Sequence, residues 1–349
     1  MNLTELSYNI RKALPYVILS ILVIFILFYS VNLILQIVEL NKVPQVYTNT
    51  TFGKIKAPQI KNIASSVGLD FTLDTVEGKP VTATDTARVF YLPPPVSRFG
   101  YREKIYLIAK TLGFNTDITK YQLKGETATL DDLTQALSVD IRNFNFTYKY
   151  NFENNPDLFT SAITPTTQES QSKAIDFLQK IDKYPDEFTQ ATLNTIFFKY
   201  DPQTKELKQL SKNVSANLVE VDFYRPDIDG FPIVSPSFFN SQNYVLMMMT
   251  ASGEARIIKA QVGFFEKSDQ QVGYYPVKTG DQAYQELKQG KGIVVSNPQQ
   301  KKKIIIKTMK LGYLDPDFYQ NYLQPVYIFI GDNDFVAYVA AITDDYILH

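Results

Sequence analysis

Apolar positions along the chain form one long uncharged stretch, followed by many short segments in which apolar and polar residues alternate. The stretch covers residues 16–38, which include no charged side chain. An α-helix of that length reaches about 34 Å, enough to cross a hydrocarbon core of about 30 Å. Buried helices of soluble proteins rarely run so far without a charge, and no small-x-small cleavage site of a signal peptide follows Val38. We therefore expect an uncleaved transmembrane helix at 16–38.

The charges beside this stretch predict its orientation. Arg11 and Lys12 precede it, whereas Glu39 and Lys42 offset each other after it. Because Lys and Arg near a membrane helix favour the cytoplasmic side, we expect a cytoplasmic tail at 1–15. The rest of the chain would then be extracytoplasmic, on a single-pass protein of the cell membrane.

Two amide side chains interrupt the apolar stretch. Asn32 and Gln36 are four residues apart and therefore share one face of a helix. Amides in lipid find partners on neighbouring helices, so this pair is a candidate for contact with a second membrane helix. The alternative is that both amides lie near the outer lipid headgroups.

The first folded module is predicted at 67–152, after a polar and aperiodic spacer at 39–66. A strand at 88–92 stops at three consecutive prolines. Apolar residues at helical spacing predict a short helix at 101–112, which a glycine ends. Strict alternation at 139–148 is typical of a half-exposed strand.

Two further modules are predicted at 172–272 and 273–349, after a turn-rich linker at 153–171. Each opens with a helix, at 172–181 and at 281–289, and continues with short strands. The strand-like segments are 192–200, 218–224, 244–250, 255–265, 293–295, 304–311, 326–330 and 335–342. The predicted fold class is α+β, with one N-terminal transmembrane helix followed by repeated helix plus antiparallel-sheet modules.

Composition narrows the chemistry. The 349 residues are 45% hydrophobic and 13% aromatic, which excludes a disordered chain. Lys and Arg number 35 against 36 Asp and Glu, so charge gives no reason to expect nucleic acid as a partner. With no Cys and a single His, the chain lacks thiolate sites, His-based triads and multi-His metal sites. We expect no cofactor and no metal.

Three short motifs imitate an enzyme. Ser170 and Lys173 fit S-x-x-K, Ser268-Asp269 approaches S-D-N, and Lys278-Thr279-Gly280 fits K-T-G. This is the order of the penicillin-binding serine acyl-transferases. However, only about ten residues separate the second and third motifs, and the third precedes a helix instead of lying on a strand edge. We expect no catalytic residue, and we expect Ser170 and Lys173 to be exposed surface groups.

Acidic pairs next to Gly or Pro recur in the second half of the chain. Asp is favoured there by turn geometry, so ordinary turns are the expected role. The alternative is weak Ca²⁺ binding by Asp227 and Asp229, although their loop has fewer ligands than a calcium loop needs. The pairs are Asp227 with Asp229, Asp315 with Asp317, and Asp332 with Asp334.

Two other runs have a structural and a binding interpretation. Lys301, Lys302 and Lys303 are expected at an exposed hairpin tip rather than in an anion-binding patch. The methionines at 247–249 lie in an apolar run and are expected in a strand buried on both faces rather than on an adaptable binding surface.

The last module resembles a known family. A helix carries Ala283, Leu287 and Gly290, a strand ends in Leu311-Gly312-Tyr313, and Gln324-Pro325 precedes a closing hairpin. Together with the layout, these features over 244–342 resemble the terminal repeat of YycH/YycI-type membrane-anchored regulators and related PepSY-like modules. The tryptophan that the family places after the proline is replaced by Val326-Tyr327. The resemblance implies a regulator that acts through contacts with other envelope proteins, without catalysis.

The sequence therefore predicts a membrane-anchored extracytoplasmic module that regulates or scaffolds another envelope protein. An envelope receptor for a glycan or peptide is the alternative, and a cell-wall hydrolase or acyl-transferase is the third possibility.

Overall fold

The computed structural model describes residues 14, 20–33, 48–61, 64–97 and 99–348. The chain divides into two units, Met1–Tyr47 and Thr48–His349. In the first unit, residues 20–33 are helical and exposed, Asn32 among them. Among the described residues, no helix is both long enough and apolar enough to cross a membrane. Gln36 and much of the predicted span lie outside the described residues, so the transmembrane helix stays a prediction.

The second unit combines three α-helices with many short strands in its described part. The helices are α1 (Tyr101–Thr111), α2 (Thr167–Lys180) and α3 (Gly280–Lys288). The first strands are β1 (Ile55–Lys56), β2 (Ala64–Ser65), β3 (Asp70–Leu73), β4 (Thr86–Tyr91), β5 (Gln122–Lys124), β6 (Thr127–Asp131), β7 (Gln135–Asp140) and β8 (Phe146–Tyr150). Next come β9 (Thr192–Asp201), β10 (Glu206–Leu210), β11 (Leu218–Tyr224), β12 (Ile233–Val234), β13 (Tyr244–Met249) and β14 (Ala255–Val262). The last are β15 (Val272–Pro276), β16 (Ile293–Ser296), β17 (Lys303–Leu314), β18 (Tyr322–Leu323), β19 (Pro325–Gly331), β20 (Val336–Ala340) and β21 (Ile347–Leu348).

The larger sheet of the described residues has nine antiparallel strands in the order β10-β9-β11-β13-β14-β8-β7-β6-β5. One face of it is apolar. The register of the strands places apolar residues directly opposite one another, so that they form a continuous row across the sheet. This row consists of Leu130, Leu137, Tyr148, Ala260, Val245 and Val221. Helices α1 and α2 bury their own apolar faces in the same core. The opposite face carries the alternate, mostly polar residues.

The second sheet has the order β12-β17-β19-β20-β16-β2, and β3 pairs with β17 in parallel. Helix α3 begins at a capping box, in which the Thr279 hydroxyl accepts from the N–H of Gln282 and the Gln282 side chain accepts from the N–H of Thr279. The apolar face of α3 packs on this sheet through Ala283 and Leu287. The closing hairpin expected after Gln324-Pro325 is present, since β19 and β20 pair in antiparallel on either side of a short loop.

Two predicted elements differ from the structure. Helix α2 begins five residues before the expected position 172, because the Thr166 side chain caps it by accepting from the N–H of Glu169. The predicted strand at 139–148 is two strands, β7 and β8, joined by a turn in which the Asp140 carboxylate accepts from the N–H of Arg142. Phe144 has a positive φ in this turn.

The α+β class is confirmed. Strands from both sides of the predicted linker at 153–171 share the nine-stranded sheet. Part of the predicted spacer is ordered, since Ile55 and Ile60 are buried and β1 pairs with β21 in parallel. The finer division into repeated modules stays a prediction.

Candidate functional site

A groove of about 1220 Å³ opens at one end of the nine-stranded sheet, next to β4. Its walls come from the segment after β4, the start of α1, the turn after β7, the loop after α2 and the segment after β14. These parts of the groove are residues 93–96, 99–100, 104, 142–144, 182–187 and 264–267. Because loops from distant parts of the sequence meet here over a rigid sheet, the site has the usual construction of a binding site.

The wall beside β4 is shaped by its three prolines. Pro93, Pro94 and Pro95 lack N–H donors, so they end the ladder of β4 and hold an extended backbone. Gly100 then adopts a φ of 80°, a left-handed conformation that allows α1 to begin at Tyr101. Between them the Phe99 side chain is fully exposed, and Val96 is 65% exposed. The rim therefore presents two large apolar side chains to solvent.

Three cationic side chains of the groove, Lys104, Arg142 and Lys267, form ion pairs with carboxylates of this chain. The ammonium group of Lys104 lies 2.5 Å from the Asp182 carboxylate, and that of Lys267 lies 2.6 Å from the Asp269 carboxylate. Arg142 pairs with Asp140 at 2.7 Å and also with Glu126. Partly exposed pairs of this kind add about 1 kcal/mol or less each to stability. Their effect on the groove is electrostatic, since they neutralise these three cations, while Asp186, Asp227 and Glu266 remain as exposed acids of the lining.

Arg225 lies buried behind the groove and holds three segments together. Its guanidinium pairs with Glu187 at 2.6 Å and with Asp315 at 2.9 Å, and it also donates to the carbonyl of Phe265. The ring of Phe264 lies 4.6 Å from the guanidinium carbon. Burial alone would lower the pKa of Arg225, but the two carboxylates raise it above its ordinary value. The arginine therefore stays charged, and it ties the loop after α2 to the end of β17.

Asp315 corrects one sequence expectation. It was expected in an ordinary turn, whereas it is 4% exposed and pairs with Arg225. The two residues are 90 positions apart, so no local pattern could indicate the contact.

The other acidic pairs lie mostly in exposed loops. Both carboxylate oxygens of Asp229 accept hydrogen bonds from Arg88, from Nε at 2.7 Å and from Nη2 at 2.6 Å. Asp332 accepts from the N–H of Ile305 and thereby fixes the loop after β19. Among the described residues, no group of three or more His, Cys, Asp or Glu is placed to hold a metal.

The enzyme-like motifs lie in separate local contacts. Ser170 is fully buried and its hydroxyl donates to the carbonyl of Thr166 at 2.6 Å, so the expectation of an exposed serine is wrong. Lys278 is also buried, with its ammonium group 2.7 Å from the Glu286 carboxylate and 2.8 Å from that of Asp344. Thr279 caps α3, so the third motif precedes a helix as expected.

The two runs with alternative interpretations resolve differently. The methionines at 247–249 are all at most 1% exposed, which confirms a strand buried on both faces. The lysines at 301–303 are exposed as expected. They do not form a hairpin tip, because β16 and β17 are not neighbours in the sheet.

Asp222 is a buried acid that no sequence motif indicated. It lies in β11 on the mostly polar face of the nine-stranded sheet, with no exposed surface. The side chains of Tyr224 and Asn194 and the N–H of Ser241 lie near its carboxylate, yet neither oxygen accepts a hydrogen bond of normal geometry. Burial, together with nearby Glu220, raises the pKa of Asp222 to about 7. An acid within the apolar sequence of β11 was the available signal.

Comparisons with known proteins give no family. No family model and no curated relative matches the chain. Among solved structures, an uncharacterized protein from Eubacterium rectale is 10% identical with a TM-score of 0.39, covering 78% of this chain and 89% of that one. The C-terminal domain of Bacillus megaterium YpeB is 12% identical with a TM-score of 0.29, covering 72% and 95%. Both scores are too low to carry an argument, and the YycH/YycI resemblance stays a prediction.

Proposed function

We propose that this chain is a non-enzymatic binding module whose groove holds an extended peptide segment of another envelope protein. Its role would be to regulate or scaffold that protein, with residues 16–38 as the membrane anchor. The uncharged sequence of that stretch supports the anchor. The exposed aromatic ring at the rim of the groove is the observation that carries the proposal.

Phe99 supports a protein partner because of its position. A fully exposed phenylalanine is costly in water, and beside a groove it is the kind of side chain that anchors an interface. Aromatic residues and prolines supply much of the remaining lining: Phe90, Phe144, Tyr184, Phe264, Phe265 and Pro185. Grooves lined by aromatic residues bind extended peptide segments, including proline-rich ones.

The pairing of the charges supports binding rather than catalysis. A nucleophile or a general base needs a group whose pKa is tuned to its task and that is free to reach a substrate. In the groove, the charges of Lys104, Arg142 and Lys267 are each held by carboxylates of this same chain. These pairs leave shape and apolar contact as the main sources of affinity.

Photo-crosslinking from the rim tests the proposal. A photoreactive phenylalanine analogue is placed at position 99 of the full-length protein in cells, and in a second variant at Ile118, which is 79% exposed and does not line the groove. We expect adducts at position 99 that map to one contiguous segment of one envelope protein, and none of these at position 118. Equal adduct patterns from both positions would contradict a specific groove.

The mapped segment then gives a quantitative test. A synthetic peptide of that sequence is titrated onto the full-length protein in mild detergent. We expect Phe99→Ala to weaken binding by about thirtyfold, the loss that corresponds to an anchor of about 2 kcal/mol. Ile118→Ala is the matched control and should bind as the unaltered protein does. Unchanged affinity of the Phe99→Ala variant, or turnover of cell-wall fragments by the protein, would overturn the proposal.

A further inference from the structure

The mostly polar face of the nine-stranded sheet carries an ordered row of hydrogen-bonding side chains. Directly paired residues continue it across six neighbouring strands, from β5 to β13. With about 4.8 Å between strands, the row is about 24 Å long. We call it the polar row; its members are Gln122, Thr129, Ser138, Thr147, Gln261 and Tyr244.

Lysines border the polar row. Lys149 and Lys259 are directly paired on β8 and β14, exposed, and two residues along their strands from the row. Lys120 and Lys124 line the same shallow groove of about 440 Å³. The lining of this groove includes one acid, Asp131, against those four lysines. The chain as a whole has a formal charge of −1, so this positive charge is a local feature of the face.

Much of this surface is without partners inside the protein. Within the described part of the chain, Lys124 and Lys149 form no ion pair, and the side chains of Ser138 and Thr147 form no hydrogen bond. Lys259, by contrast, is positioned by the ring of Tyr244, whose centre lies 5.1 Å from the ammonium nitrogen. Lys259 also lies close enough to Glu220 to lower the pKa of that carboxyl. The face therefore combines free donors and acceptors with the positive charges of Lys124 and Lys149, which no carboxylate of the described residues pairs.

We propose that this face binds a linear anionic glycan, whose hydroxyl groups meet the polar row while its acidic groups meet the lysines. Hydroxyl and amide side chains both donate and accept, as sugar hydroxyls require. Charge complementarity favours an acidic polymer over a neutral one. An extended peptide is less well matched, because peptides add to the edge of a sheet through backbone hydrogen bonds, whereas this site consists of side chains on a face of the sheet. The site is distinct from the groove beside Phe99.

Binding of polymers to the full-length protein in mild detergent tests the proposal. The probe is fluorescent polygalacturonate, compared with neutral dextran and with poly-glutamate of matched length. We expect polygalacturonate to bind with an affinity that falls as salt rises, and the other two to bind at least about tenfold more weakly. Equal or tighter binding of poly-glutamate would replace the glycan with an acidic polypeptide and overturn the proposal, as would the absence of polygalacturonate binding.

Paired variants locate the site. Lys124→Gln with Lys149→Gln should weaken polygalacturonate binding by about tenfold or more and flatten its salt dependence. Thr147→Val should weaken it at every salt concentration, because it removes a hydroxyl and no charge. The control is Lys302→Gln with Lys303→Gln, which removes two exposed lysines outside this groove. If the control loses as much affinity as the Lys124 and Lys149 variant, the lysines act only through net charge and the proposed site is refuted.

Discussion

Replacing Asp222 with asparagine should stabilise the protein at neutral and alkaline pH. The carboxylate is fully buried in β11, and neither oxygen accepts a hydrogen bond of normal geometry. The titratable groups that face it offer little compensation: Glu220 and Tyr224 on its own strand, Tyr244 on β13, and Lys259 on β14, which acts mainly on Glu220 and Tyr244. A neutral amide of the same size removes the cost of a buried charge.

The magnitude follows from the pKa. Burial raises the pKa of Asp222 from 3.8 to about 7, an increase of about three. Because the pKa is higher in the folded state, the stabilisation from protonated Asp222 is fully present below pH 3.8 and is lost as pH rises to about 7. At 1.36 kcal/mol for each pKa unit, the loss is about 4 kcal/mol. The advantage of Asp222→Asn over the unaltered protein should therefore grow from near zero at pH 4 to a few kcal/mol at pH 8.

Urea unfolding between pH 4 and pH 8.5 measures this difference. The chain has 23 Tyr and no Trp, so tyrosine fluorescence and circular dichroism are the suitable signals. Asp176→Asn is the control, since Asp176 is exposed on α2. Its free energy of unfolding should change by less than about 0.5 kcal/mol at any pH. If Asp222→Asn gives the same difference from the unaltered protein at pH 4.5 and at pH 8, the carboxylate is already compensated and the reasoning fails.

Three further substitutions test other contacts. Arg225→Met should lower the free energy of unfolding by about 3–5 kcal/mol, because it leaves Asp315 buried without a partner; a loss below about 1 kcal/mol in urea unfolding would contradict this. Ser170→Ala removes a hydrogen bond to the Thr166 carbonyl and should cost about 1 kcal/mol, and the unaltered protein should keep its intact mass after incubation with a β-lactam probe; an adduct on Ser170 would make it an acyl-transferase. Thr279→Ala removes the cap of α3 and should lower the thermal midpoint, at a cost of about 0.5–2 kcal/mol, whereas an unchanged midpoint would show that packing alone holds the helix.

Local signals in the sequence were sufficient for most elements. Helix α3 was predicted nearly to its ends, because its capping threonine and terminating glycine are adjacent to it in sequence. The earlier start of α2 was also visible, since Thr166 and Glu169 have the spacing of a capping box. The turn between β7 and β8 was missed because alternation continued across it. The alternation of apolar and polar residues does not by itself show where the chain turns from one strand into the next.

The candidate site could not be predicted because it depends on distant contacts. Arg225 meets Glu187 and Asp315, which lie 38 and 90 positions away in sequence. The groove likewise forms only when the segments around positions 95, 143, 185 and 265 come together. The polar row is an intermediate case, since each strand shows its polar positions, but only the register places them in line.

The parallel pairing of β1 with β21 and of β3 with β17 has a consequence for the time course of folding. Residue 55 leaves the ribosome almost 300 residues before its partner, residue 347. Until the last strands emerge, the segment from β1 to β3 lacks its place in the sheet and is exposed to mispairing, and contacts so remote in sequence slow folding. Loss of a few C-terminal residues should thus be detected first as protease sensitivity near residue 55, which is almost 300 positions away in sequence but adjacent in the fold.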